Sequence, residues 1–277
     1  MRFPSTGVTP NAIAITPDGT RAYVPNLFTD NITVIDTTIN TSVATIPSTG
    51  VTPNAIAITP DGTRAYVTNE SSDNITVIDT TTNTSVATIP STGVTPNAIA
   101  ITPDGTRAYV TNLFTNNITV IDTATNTSVA TIPSTGVTPN AIAITPDGTR
   151  AYVTNESSDN ITVIDTTTNT SVATIPSTGV GPNAIAIIPD GTRAYVPNYS
   201  SYNITVIDTT TNTSVATIPP TGVGPNAIAI TPDGTRAYVT NFSSSNITVI
   251  DTATNTSVAT IPSTGKVPIA IAIASIC

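Results

Sequence analysis

Apolar and polar residues alternate in short runs along the whole chain, and nowhere does the three-to-four spacing of an amphipathic helix appear. Between residues 48 and 90 four such runs stand out: NAIAIT at 54–59, TRAYVT at 63–68, NITVID at 74–79 and SVATI at 85–89. Each is rich in β-branched residues or Tyr and is bounded by turn formers, which predicts four β-strands. Pro60-Asp61-Gly62 joins the first pair: Pro presets φ, Asp bonds the local backbone and Gly accepts positive φ. The turn from Thr80 to Asn83 joins the last pair. In the first strand Ile56 and Ile58 point to one face and Ala55 and Ala57 to the other. A large-residue face can therefore nest against the small-residue face of a neighbouring sheet, with Ile75 and Val77 extending that core.

This pattern is repeated. The stretch STGVTPNAIAITPDGTRAYV begins at Ser5 and returns at Ser48, Ser91, Ser134 and Ser177, with a variant at Pro220. Units of 43 residues thus occupy 5–47, 48–90, 91–133, 134–176, 177–219 and 220–262, and STGKVPIAIAIASIC ends the chain. Near-identical units must adopt near-identical structures, the mark of a closed ring or a solenoid. Four short antiparallel strands per unit is the pattern of a propeller blade, whereas solenoid coils carry fewer strands. The expected fold is all-β, a single β-propeller of six four-stranded antiparallel blades over residues 1–277. Seven blades with an incomplete last blade is the alternative.

Tyr66-Val67-Thr68-Asn69, following Pro60-Asp61-Gly62 and preceding Val77-Ile78-Asp79-Thr80, resembles the YVTN β-propeller repeat of surface-layer-like proteins. The tetrapeptide stands intact at Tyr66, Tyr109, Tyr152 and Tyr238, and becomes YVPN at Tyr23 and Tyr195. The resemblance spans essentially the whole chain. It implies a cell-surface or secreted protein and transfers no catalytic residue. The start of the chain carries no apolar leader, so that placement requires one outside this sequence.

After the sixth unit comes one more strand of the first type, with Ile269, Ile271 and Ile273 on one face. It lacks the Asn and the Pro-Asp-Gly turn of its counterparts, so nothing asks the chain to reverse. Residues 266–277 are expected to close the ring, or else to join an edge of another molecule as a route to self-association, or to begin a seventh blade.

Composition then removes chemistry. Among 277 residues there is no His and no Trp, and there is a single Cys. A His-based triad, a His-ligated zinc and an internal disulfide are all excluded. Eight cationic against seventeen anionic side chains give a net charge of −9, which argues against nucleic acid as a partner. No apolar run approaches the roughly 20 residues of a spanning helix, so no membrane span is expected. No cofactor and no metal are expected either. Asp36, Asp79, Asp122, Asp165, Asp208 and Asp251 recur in every unit as turn residues. So do Arg21, Arg64, Arg107, Arg150, Arg193 and Arg236, each expected to pair with a nearby Asp. The recurrent Asn-Xaa-Ser/Thr triplets read as turn and strand-start residues before they read as glycan acceptors.

Differences between units cluster between the second and third strands, in LFTD, ESSD, LFTN, ESSD, YSSY and FSSS. Variable loops on a rigid scaffold are where specificity resides. Phe28, Phe114, Tyr199, Tyr202 and Phe242 could offer apolar or sugar-stacking contacts, so a protein or a glycan is the expected partner. Glu70, Asp73, Glu156 and Asp159 read as solvated charge more readily than as a Ca²⁺ site, since no DxDxDG loop exists. With no catalytic constellation in view, the expectation is a non-enzymatic binding scaffold. A self-assembling structural protein linked through the C-terminal strand is the alternative, and an enzyme stands third.

Overall fold

The computed structural model of the chain describes residues 7–219, 222–262, 265 and 267–273. Each repeat folds into its own four-stranded antiparallel sheet with the strands side by side in chain order, six sheets in all. The chain is a six-bladed β-propeller. Among the described residues a single 3₁₀ turn at Glu156–Ser158 is the one helical element.

Blade 2 shows why these residues form these strands. Its strands are Pro53–Ile58, Arg64–Asn69, Asn74–Asp79 and Thr84–Pro90. The middle pair runs in uninterrupted register from Arg64 opposite Asp79 to Asn69 opposite Asn74. Pairing of the third and fourth strands shifts between Val77 and Ile78, a bulge that adds twist. At the Pro-Asp-Gly turn, Gly62 takes φ +74°, a value that side chains resist.

Contacts divide the chain into two units, residues 7–132 and Pro133–Ile273. In the first unit, Tyr23, Ile32, Val34 and Ile46 of blade 1 pack on Ala65, Val67 and Ile78 of blade 2. Blade 2 repeats the seam one step on, with Tyr66, Ile75, Val77 and Ile89 against Ile99, Ala108, Val110 and Ile121. In the second unit Tyr152, Ile161, Val163 and Ile175 meet Ala194, Val196 and Ile207. Tyr195, Ile204, Val206 and Ile218 then meet Ala237, Val239 and Ile250. Full burial of each aliphatic side chain contributes about 1.5–3 kcal/mol, so these seams are the core.

The two faces of a blade are mixed rather than large against small. Cross-strand partners share a face, and Ala57 lies opposite Tyr66 while Ile58 lies opposite Ala65. Ile56 and Ile58 therefore share a face with Ala65, and Ala55 and Ala57 with Tyr66, Ile75 and Val77.

The innermost strands are joined by a line of carboxamides. In the first unit Asn11 donates to Asn54, and Asn54 donates to Asn97 Oδ1 at 2.6 Å. In the second, Asn140 Nδ2 reaches Asn183 Oδ1 at 2.5 Å, Asn183 reaches Asn226 at 2.7 Å, and Asn226 donates to the Ile269 carbonyl at 2.9 Å. Ile269, Ile271 and Ile273 follow this contact, yet residues 267–273 take part in no strand ladder. Among the described residues no incomplete seventh blade forms, because no reversing turn supplies a second strand. Residues 266 and 274–277 of the expected closing strand lie outside the described residues. No helix among the described residues is long and apolar enough to cross a membrane.

Candidate functional site

The loops between second and third strands are built on one template. Their third residue is always a hydroxyl that accepts the N–H of the Val in the preceding link. Thr29 accepts from Val8, Ser72 from Val51, Thr115 from Val94, Ser158 from Val137, Ser201 from Val180 and Ser244 from Val223, at 2.8–3.2 Å. Their fourth residue (Asp30, Asp73, Asn116, Asp159, Tyr202, Ser245) takes a positive φ of 47–60° that reverses the chain. The third and fourth positions are thus committed to structure in every blade, whichever residue stands there, and the first two are left free.

This geometry separates the candidate residues. Asp73 and Asp159 are structural: Asp73 Oδ1 accepts the Thr95 N–H at 2.7 Å and Asp159 Oδ1 the Gly181 N–H at 2.8 Å, each in the link entering the next blade. Asp30 does the same for Thr52 at 2.7 Å. Tyr202 holds the turn position. Glu70 and Glu156, at the first loop position, make no side-chain hydrogen bond to any described residue. Phe28 and Phe114, at the second, are 71% and 77% exposed. Tyr199 and Phe242, at the first position of blades 5 and 6, form an edge-on pair with ring centroids 6.2 Å apart. Gly224 makes room for this pair, since a Cβ there would lie 3.2 Å from the Tyr199 ring. Among the described residues no group of three or more Asp, Glu, Cys or His side chains could hold a metal ion.

Four tyrosines of the YVTN and YVPN motifs, Tyr23, Tyr66, Tyr152 and Tyr195, do something the sequence did not disclose. Tyr23 Oη lies 2.7 Å from Asn83 Oδ1 and 3.1 Å from the Thr80 carbonyl, both on the next blade. Tyr152 and Tyr195 make the same reach to Asn212 and Asn255 at 2.6 Å. Burial pushes these phenols up to about 12. The only signal in the sequence was the constant interval of 60 residues between Tyr and Asn. Asn83 of an Asn-Xaa-Ser triplet is thus spent on a blade seam.

Beside Tyr23, Tyr66 and Tyr152 lies a recess between blades. One of about 400 Å³ is lined by Asp18, Arg21, Tyr23, Asp61 and Asn83. Others of about 430 and 280 Å³ lie beside Tyr66 and Tyr152. Their charges are already occupied. Arg21 pairs with Asp36 at 2.6 Å, its cross-strand neighbour, and Arg64, Arg107, Arg150, Arg193 and Arg236 pair likewise. Asp18 takes hydrogen bonds from Thr16 and from the Thr20 hydroxyl and N–H, which hold its carboxyl below the usual range. The loop face, not the recesses, carries uncommitted groups.

The family model of the virginiamycin B lyase family matches residues 1–275. No curated protein matches the chain. Among solved structures, a functionally unknown protein from Desulfotomaculum acetoxidans DSM 771 is 22% identical with a TM-score of 0.80, covering 96% of this chain and 90% of its own. Hydrazine synthase of Kuenenia stuttgartiensis is 23% identical with a TM-score of 0.63, covering 91% and 98%. At such identities these two share the fold alone. The family match overturns the expectation of a non-enzymatic scaffold, because the matching family is named for a lyase. The expectation rested on the absence of any catalytic constellation in the sequence, where no carboxylate stands apart from its repeated copies, although a carboxylate can serve as a base.

Proposed function

The chain belongs to the virginiamycin B lyase family, and from that premise we propose that it is a lyase that holds its substrate on the variable-loop face. The observation that carries this reading is the succession Glu156, Tyr199 and Phe242 at the same loop position of three consecutive blades. An eliminating lyase must remove a proton as a leaving group departs, and a positioned base performs that step. Without His, the base is a carboxylate or a rarer group. Apart from Glu70, the rim and turn carboxylates such as Asp73, Asp159, Asp61 and Asp79 are held by backbone N–H groups, threonine hydroxyls or arginines. Glu156 is unengaged at the loop position that, one and two blades on, carries an aromatic pair able to pack against the apolar part of a substrate, and Glu70 is its counterpart in blade 2. Phe28 and Phe114 offer the same contact in the first unit. The proposed substrate is virginiamycin B or a compound like it, as the family's name supports. Placement at the cell surface is proposed as well, supported by the YVTN resemblance.

Binding and turnover of virginiamycin B would be measured for the wild type, Tyr199→Ala/Phe242→Ala and Glu156→Gln. Loss of binding is expected for the aromatic variant. Glu156→Gln should keep binding and lose about 10²–10⁴-fold in turnover, the usual worth of a positioned base. Turnover unchanged in Glu156→Gln, or binding unchanged without the aromatic pair, would remove those residues from the site.

A further inference from the structure

Each blade carries its variable loop at one end and its other two turns at the opposite end. The recesses beside Tyr23, Tyr66 and Tyr152 lie at that second end, each between two neighbouring blades of one unit. They are copies of one arrangement. Asp18 and Arg21 of blade 1 line the first together with Asp61 of blade 2, and Asp147, Arg150 and Asp190 hold the same places beside Tyr152. At about 280–430 Å³ they sit at the small end of ligand sites, which run from about 300 to 1,000 Å³, so a guest is the size of a single ring.

Every charge in these recesses has a partner, yet none is saturated. Arg21 spends Nη1 on the Thr20 carbonyl and on Asp36, and its Nε and Nη2 make no hydrogen bond among the described residues. One planar edge of the guanidinium thus keeps its fork of N–H donors. Arg64 and Arg150 are engaged in the same way and keep the same edge. Asp18 Oδ2 accepts only the Thr20 hydroxyl, although a carboxylate oxygen has two lone pairs. In blade 5, Ile188 stands where the other blades have Thr, and Asp190 Oδ2 accepts nothing from the described residues.

The recesses also hold an apolar surface. Pro17, itself exposed, lies against Gly62 of the next blade, where a Cβ would stand 3.3 Å from the proline ring. Pro60 meets Gly105 and Pro146 meets Gly191 at the same distance.

This combination selects a chemistry. An anion would take the arginine fork but meet two carboxylates, and a cation would take the carboxylates but meet the guanidinium. A hydroxyl accepts from one and donates to the other through a single atom. Neighbouring hydroxyls on a saturated ring do so in pairs, and the C–H face of that ring packs on proline.

We propose that each of these recesses binds a neutral polyhydroxylated ring of hexose size, with Arg21, Arg64 or Arg150 donating to its hydroxyls, the flanking aspartates accepting from them, and Pro17, Pro60 or Pro146 beneath the ring. The site is separate from the variable-loop face and does not depend on the lyase reading.

Titration of the isotope-labelled full chain with glucose, galactose and mannose tests this, up to about 100 mM, where even a dissociation constant of about 10 mM is saturated. Sulfate and putrescine serve as charged controls. The arginine Nε–H signals are read by NMR, and Arg21→Lys, Arg64→Lys and Arg150→Lys identify them by deleting one each. The expected result is a saturable shift of these three signals with at least one hexose and none with either control. Thr81, Ala124 and Thr210 are exposed residues lining the three recesses, and Ala124 shows that a hydroxyl is not required at this position. A chain carrying Thr81→Leu, Ala124→Leu and Thr210→Leu, with its fold verified by circular dichroism, should bind at least tenfold more weakly at all three arginines. Tyr199→Ala/Phe242→Ala should respond as the wild type does. No shift with any of the three hexoses, a response unchanged in the leucine variant, or a response to sulfate or putrescine alone would each overturn the proposal.

Discussion

The hydroxyl of Tyr66 lies 2.7 Å from the carboxamide oxygen of Asn126, sixty residues further along and one blade over. The same hydroxyl is 3.1 Å from the Thr123 carbonyl, so one proton serves two acceptors that would otherwise be left at a closed seam. Tyr66 therefore joins blades in two ways, through its buried ring and through this polar tip. Replacing it by Phe keeps the ring and strands the acceptors. Tyr66→Phe is expected to cost about 1–2 kcal/mol in denaturant unfolding. Asn126→Ala should cost a similar amount, and the double variant should cost less than the sum of the two.

The tyrosines also set an alkaline limit. Four of them, Tyr23, Tyr66, Tyr152 and Tyr195, are pushed by burial up to about 12 from an ordinary 10.0. A raised value means that the folded state holds the proton more tightly than the unfolded one. Their contribution to stability is then complete below pH 10 and is lost as pH rises towards 12. On the acid side the direction reverses. The Thr81 hydroxyl, with the backbone N–H groups of Thr81 and Thr82, holds Asp79 at about 2. Its contribution is complete above the ordinary 3.8 and is lost as pH falls to about 2. Thermal melts across pH are expected to show a broad plateau with falls below 4 and above 10. In Tyr66→Phe the alkaline fall should be shallower.

A strained link offers a route to greater stability. Thr95 holds φ +62°, in a region that β-branched residues resist, and its counterparts in blades 5 and 6 are Gly181 and Gly224 at +70°. Thr95→Gly is expected to stabilise by up to about 1 kcal/mol, because relieved strain outweighs the added freedom of the unfolded chain. Gly224→Thr should destabilise by more, since its Cβ would press on Tyr199. Melting temperatures of the two variants should move in opposite directions.

The loop aspartates test structural against ligand-binding roles. Asp73→Ala removes the acceptor of the Thr95 N–H and is expected to cost about 1–3 kcal/mol. Asp73→Asn should cost less, because blade 3 carries Asn116 at the same place. Glu70→Gln, at the free first position of the same loop, should leave stability within about 0.5 kcal/mol, as surface changes usually do. Chemical denaturation of the three variants checks the ranking.

Much of the fold was legible before any coordinates. The period of 43 residues, the Pro-Asp-Gly turns and the alternation of NITVID set the number of blades and the order of strands. Arg64 opposite Asp79 was readable as an ion pair because both recur once per unit. The site was legible only as a region. Loop variability pointed to the loops between second and third strands, yet treated Asp73 and Glu70 alike, since a lone sequence does not show which carboxylate faces a backbone N–H. The enzymatic character of the family was missed, because a repeated sequence sets no carboxylate apart from its copies and does not say which of them stay unengaged.

The opening alternation of apolar and polar positions, copied from unit to unit, determined by itself that this chain forms six meandering sheets, because period-two patterning and turn chemistry act over a few residues. Only the tertiary structure decided how the repeats join. Tyr66 finds Asn126, Asn54 finds Asn97, and Ala57 sits opposite Tyr66 while Ala65 sits opposite Ile58, because those choices depend on register and on a neighbouring blade. It also decided where repetition ends. Identical motifs become unequal there: Ile261 is 42% exposed, where Ile46, Ile89, Ile132, Ile175 and Ile218 are at most 1% exposed.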